Sequence, residues 1–272
     1  MDLATLYDMA PWEWPEDANK LIYDVLTNRG AAPDDRVMAA ELAGEQVVMD
    51  DRMAGELLSI LLNKQEPEEL RENAAVSLGP VLDYSFTMEF DDPDEIIITE
   101  KTYQGLRQSL KKMYHDADIS ENLRRRVLET LVRAPEDWQQ GAVRAAYTSK
   151  DEEWRRTAVF GMGFVGGFDE QIVESLLNPD PVIHYHAVAA AGNWQIDAAW
   201  PHVVELVSSE DTERDLLLAA IEAAIFIRPR EAAKLLERFL ESDDEEIMDT
   251  IAEALAMVGE VVPDDYLEDD EA

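Results

Sequence analysis

Gly161-Met-Gly163-Phe-Val-Gly166 has the spacing of a dinucleotide phosphate turn, in which glycines let a backbone wrap a pyrophosphate at the head of a helix. Such a turn needs a buried strand immediately before its first glycine. The preceding residues, Asp151 to Phe160, carry helical spacing instead, so these glycines end one helix and let the next approach closely. Four histidines offer metal or acid–base chemistry: His115, His184, His186 and His202. His184 and His186 lie two apart and point to different sides of a helix, so a shared metal site would need His202 and an acidic neighbour. The imidazoles are taken as structural. Asp91, Asp92, Asp94 and Glu95 lack the glycine-centred spacing of a calcium loop and are taken as solvated charge. The absence of cysteine removes thiolate ligands and thiol nucleophiles. With no nucleophile elbow, phosphate loop or zincin motif either, the expectation is no catalytic residue, no metal and no cofactor.

What remains is a basic segment in a strongly acidic chain. Sixty Asp and Glu face twenty-three Lys and Arg among 272 residues, a formal charge of −37. Between Glu100 and Arg156, however, twelve basic residues face ten acidic ones. Lys101, Gln104, Gln108 and Lys111 share one helical face, and Arg144 falls on the next helix that would line the same surface, a set suited to docking an acidic segment. The competing account pairs these cations, together with Arg107, Lys112, Arg124 to Arg126, Arg155 and Arg156, with Glu121, Glu152 and Glu153 of neighbouring repeats, where each exposed pair is worth only ~0–1 kcal/mol. The overall charge repels polyphosphate and excludes duplex nucleic acid as a general ligand. It suits either the steering of a basic protein or peptide or solubility in a salty cell interior, and the scarcity of lysine, seven against sixteen arginines, leans toward the latter. No apolar run reaches the roughly 20 residues a bilayer requires, and the start is acidic where a secretory signal is basic. A cytoplasmic protein with no membrane partner is expected.

Stepping along the chain, one short phrase returns seven times and ends at Gly44, Gly79, Val132, Gly163, Gly192, Ala224 and Ala256. Five residues earlier stand Ala39, Ala74, Val127, Ala158, Ala187, Ala219 and Ile251; eight earlier stand Arg36, Arg71, Arg124, Arg155, His184, Leu216 and Met248. The first column allows close helix approach, and the basic character of the second fades toward the C-terminus. Steps of about 29 to 35 residues, with one stretched step, are those of helix pairs that bury an apolar face only by stacking. Second helices are predicted at 51–62, 100–115, 136–147, 169–177, 198–207 and 230–240, and an N-terminal helix at 17–28. Ser149 to Glu152 and Ser242 to Glu245 match capping boxes. The stretched step at 81–99, with turn chemistry at Asp91 to Asp94 and a β-branched run at Ile96 to Ile98, is predicted to be an inserted loop or small hairpin. Residues 1–31 form an aromatic cap and helix, 32–262 the repeat array, and 263–272 an acidic disordered tail.

These columns resemble HEAT repeats, in particular the short HEAT-like repeats shared with phycobilin lyase subunits. Glu69 to Gly79 and Asp180 to Gly192 carry the family phrase best, and the resemblance spans Ala32 to Gly259. It implies an all-α fold, a right-handed α-α superhelix of about seven HEAT-like repeats with an armadillo-like concave face. The stacked array is expected to act as a non-catalytic scaffold, adaptor or assembly factor that binds a partner protein through its concave face and the loop at 81–99. The resemblance alone suggests the alternative, a bilin lyase-like or other small-molecule enzyme, which an apolar pocket containing His184, Trp194 or Trp200 beside an acid would favour. The hydroxylase branch of the family uses His-Glu pairs. No His-Glu dipeptide occurs in this chain, so that activity is not expected.

Overall fold

The computed structural model describes residues 2–90, 92–239 and 244–257. Among them the regular elements are all helical. In chain order the longer helices are α1 (Leu3–Tyr7), α2 (Ala18–Thr27), α3 (Pro33–Leu42), α4 (Asp51–Leu62), α5 (Glu68–Val76), α6 (Gly79–Thr87), α7 (Glu100–Tyr114) and α8 (Glu121–Leu131). They continue with α9 (Asp137–Tyr147), α10 (Glu152–Met162), α11 (Asp169–Ser175), α12 (Pro181–Asn193), α13 (Trp200–Ser208), α14 (Arg214–Ile227), α15 (Pro229–Leu236) and α16 (Glu245–Met257). The chain forms two compact units, Met1–Asp137 and Trp138–Ala272.

In the first unit α3, α5 and α8 pack on one another in chain order, and each is backed by a partner helix, α2, α4 and α7 respectively. The second unit repeats the plan: α10, α12, α14 and α16 follow one another, with α11 on α12 and both α13 and α15 on α14. This is an all-α helical-repeat solenoid fold with helices where the spacing predicts them, although α4, α7, α11 and α13 each pack mainly on the phrase helix that follows rather than on the one before. The column of small residues explains the packing. Ala39, Ala74, Ala158 and Ala187 are fully buried, and Val127 in the third phrase is buried too. Across the α5–α8 contact, Thr130 Oγ1 donates to the Ala75 carbonyl at 2.8 Å.

The arginine column has a job that spacing alone does not reveal. Arg36 Nε donates to the carbonyl of Leu26 at 3.0 Å, and Arg71 Nε to that of Leu61 at 2.9 Å. Each carbonyl lies in the last turn of the preceding helix, where acceptors lack intrahelical partners and a cation is favoured. Arg124 does the same for the Asp116 carbonyl just beyond α7, at 2.9 Å. Arg36 also forks onto Glu66 at 2.6 and 3.1 Å.

Three local expectations change. The capping box at Ser149 is replaced by Asp151, whose carboxylate accepts from the Glu153 N–H at 2.9 Å, while Ser149 Oγ accepts from the Asp151 N–H at 3.1 Å. A carboxylate at the helix head also answers the macrodipole, so the helix starts later. Residues 81–87 of the expected loop are the body of α6, which packs on α7 and α8. No hairpin forms among the described residues of the insertion. Its chain reverses through positive φ at Glu89 (57°) and Phe90 (70°), Phe90 packs 5.3 Å from the Tyr103 ring, and Ile98 is buried. At the N-terminus, Trp14 Nε1 donates to the Leu6 and Met9 carbonyls, closing the cap around buried Leu3 and Leu6, whereas Trp12 is 83% exposed. Ser242 of the second capping box and the tail at 263–272 lie outside the described residues.

Candidate partner-binding site

Helix α7 is strongly two-faced. Tyr103, Leu106, Leu110 and Met113 are buried against the unit, which turns Lys101, Gln104 and Gln108 outward as one exposed stripe with Lys111 half-buried at its end. The helix head is fixed by two caps. Thr99 accepts from the Thr102 N–H, and its own N–H donates to Asp51 Oδ1 at 2.8 Å. Desolvation at Asp51 is outweighed by hydrogen bonds from Thr102 and Thr99 and by the charge of Lys101, so its carboxyl is held below the usual range.

Lys111 differs from the expectation. Glu136 takes both it and Arg107, with Lys111 Nζ at 2.5 Å from Oε2 and an Arg107 guanidinium nitrogen at 3.0 Å from Oε1. A partner of Lys111 is therefore Glu136, which lies in the same unit as α7. Glu153 pairs with Arg156 at 2.6 Å, one turn further along its own helix. Arg144, the fifth expected residue, belongs to the second unit. It is exposed on α9 with its guanidinium 5.2 Å from the centre of the Phe168 ring. Four of the five residues thus share one helix face, three of them fully outward.

Beside that stripe lies a feature that the repeat columns do not reveal. An open groove of about 560 Å³ is lined by Leu62, Lys64, Arg71, Ser109, Lys112, Met113, Asp116 and Ile119. Its apolar floor is Leu62, Met113 and Ile119, and its rim carries three cations against one carboxylate, with Lys64 no closer than 4.0 Å to Asp116. The signal in the sequence was Lys112, which follows Lys111 but turns to the other side of α7. Lys64 and Arg71 come from the preceding repeat, so only the fold brings them to it.

The second unit holds other chemistry. His184 on α12 and His202 on α13 meet with their Nε2 atoms 2.7 Å apart. His184 also lines a groove of about 310 Å³ with Pro181, Val182, Tyr185, Glu213, Asp215 and Leu216. Trp194 and Trp200 are engaged elsewhere: Trp194 Nε1 donates to the Met162 carbonyl at 2.6 Å, and Trp200 lies under Arg228. The run at Gly161 ends α10, and Gly166 lets the Trp194 ring pack at 3.2 Å from where a Cβ would stand. Among the described residues no group of three or more His, Asp and Glu side chains is arranged to hold a metal ion. Nor is any described helix long and apolar enough to cross a membrane.

No family model matches the chain, and no curated protein matches it. Solved structures do. Human deoxyhypusine hydroxylase in complex with glycerol aligns with 16% identity and a TM-score of 0.40, covering 94% of this chain and 88% of the other. Escherichia coli YibA aligns at 14% identity and a TM-score of 0.43, covering 90% and 84%. A designed armadillo repeat protein aligns at 17% identity and a TM-score of 0.33, covering 86% and 97%.

Proposed function

We propose that the protein is a non-catalytic binding scaffold that holds an acidic, partly apolar segment of a partner protein in the groove beside α7. The composition of that groove carries the proposal: Lys64, Arg71 and Lys112 around Leu62, Met113 and Ile119, in a chain of formal charge −37. Glu or Asp side chains would gain charge-assisted bonds from the rim, and an apolar side chain would cover the floor. A stacked array presents such a groove largely preformed, so the scaffold gives up little entropy on binding. The outward Lys101, Gln104 and Gln108 would extend the same contact along the helix.

A basic partner is the second reading, favoured by the face around Tyr185 in the second unit. Burial, and then the charges of Glu222 and Asp215, push the Tyr185 hydroxyl up, and Glu222 is raised above the usual carboxylate range by desolvation and then by the charge of Glu253. A lysine or arginine from a partner would relieve that crowding.

Fluorescence polarisation with short synthetic peptides of acidic, neutral and basic sequence, each carrying one leucine, tests the choice. The acidic peptides should bind, and Lys112→Glu and added salt should both weaken them. Equal binding to wild type and Lys112→Glu would overturn the groove, and binding of basic peptides alone would favour the Tyr185 face. Incubation with tetrapyrroles should leave the absorbance spectra unchanged; a spectral shift would point to the small-molecule enzyme instead.

A further inference from the structure

His184 occupies the column in which Arg36 and Arg71 cap the preceding helix, yet among the described residues its ring bonds to no backbone carbonyl. It turns to His202 on the helix that follows. With Nε2 atoms 2.7 Å apart and ring centres 5.0 Å apart, one imidazole presents an N–H and the other a lone pair. Two nitrogen donors from two helices therefore aim at one point.

We propose that His184 and His202 form a two-imidazole site for a borderline divalent transition ion of the Zn²⁺ or Cu²⁺ class, which staples α12 to α13. Neutral imidazole is a preferred donor for such ions. Burial pushes both rings below the ordinary imidazole range, so both are free base at neutral pH, the form a ligand must take. Zn–N bonds of about 2.0–2.1 Å at a tetrahedral angle set two nitrogens roughly 3.3 Å apart. The pair need open by only a little, and the donating ring moves its proton to Nδ1. Both residues are only partly buried, so water can reach the remaining positions. That is required, because no third His, Asp or Glu among the described residues closes the shell. The surroundings favour a cation: Glu205 acts on His202 from the same helix, and Glu213 and Asp215 line the groove beside His184 with no lysine or arginine in its wall.

The test is a Zn²⁺ titration of the full chain against a chromophoric chelator, with Cu²⁺ electron paramagnetic resonance on the wild type. Wild type and His186→Gln should hold the same tight equivalent of Zn²⁺, while His184→Gln and His202→Gln should each lose it. The Cu²⁺ spectrum should show coupling to two imidazole nitrogens. Equal Zn²⁺ binding by all four proteins, as scattered carboxylates would give, overturns the proposal. So does a Cu²⁺ spectrum with one nitrogen or none, which decides the matter even if a variant fails to fold.

Discussion

Gly192 in α12 lies so close to α14 that a Cβ at this position would stand 2.8 Å from the Cα of Ala223. The obstacle is backbone, so relief requires the two helices to part. Gly192→Ala should therefore destabilise the protein by roughly 1–3 kcal/mol, despite the gain in helix propensity. Gly141 in α9 is the control. Its Cβ would meet nothing within 4 Å, and Gly141→Ala should stabilise by roughly 0.5–1 kcal/mol. Urea unfolding followed by circular dichroism compares the two, and a shift of the same sign in both would contradict the close approach.

Arg36 and Glu66 form a nearly closed ion pair, with side chains 8% and 7% exposed. Arg36→Ala strips Glu66 of its fork and leaves the Leu26 carbonyl without its donor, a loss expected to reach about 3–5 kcal/mol. Replacing both partners, as in Arg36→Met with Glu66→Leu, should recover most of it, since neither charge is then stranded. A double-mutant cycle in urea measures the coupling. Additive losses would mean that the two side chains do not depend on each other.

Acid should destabilise the protein in two steps. His184 and His202 have folded pKa values lowered by burial, so the neutral rings favour the fold fully above the ordinary imidazole value of about 6.5, and that contribution is lost as pH falls through and below it. Glu66, held down first by hydrogen bonds from Arg36, and Asp244, held at about 2 chiefly by Arg214, follow the same sign in a lower window. Their contribution is full only above about pH 4.5, the ordinary glutamate value, and is lost as pH falls toward and below 2. Urea midpoints measured across pH should show both steps. His184→Gln should shrink the first without touching the second, and Arg214→Gln should shrink the second. One acid transition unaffected by either substitution would contradict the assignment.

Glu136 restrains the basic face of α7 by holding Arg107 and Lys111 together. Glu136→Gln removes that carboxylate and should strengthen binding of acidic peptides severalfold, with little effect on basic ones. Polarisation titrations at low salt read the difference. Unchanged affinity would place the peptide away from this face.

The repeat made most of the fold legible, because alanines at a fixed offset from glycines can only serve helices that approach closely. Ala39, Ala74 and Ala187 are buried where the column puts them, and α4 runs over the predicted 51–62. The insertion is an irregular loop only after Thr87, and the β-branched run at Ile96 to Ile98, which suggests a strand, forms none, because burial of Ile98 and packing of Phe90 on Tyr103 hold it against helices. The stripe of Lys101, Gln104 and Gln108 follows from helical period alone. The groove does not, since Lys64, Arg71 and Lys112 come from three different elements. His202 is nameable from the sequence as the companion that His184 would need, but eighteen residues separate them, and only the course of the chain from α12 into α13 sets Nε2 against Nε2.

The most direct measurement is photo-crosslinking in the native cell from a photoreactive amino acid placed at Ser109, inside the groove. The scaffold account predicts a discrete protein adduct whose crosslinked segment is acidic and carries an apolar residue, and predicts its loss when Lys64→Glu and Lys112→Glu are introduced together. An adduct that survives those charge reversals, or one formed through a basic segment, would contradict it.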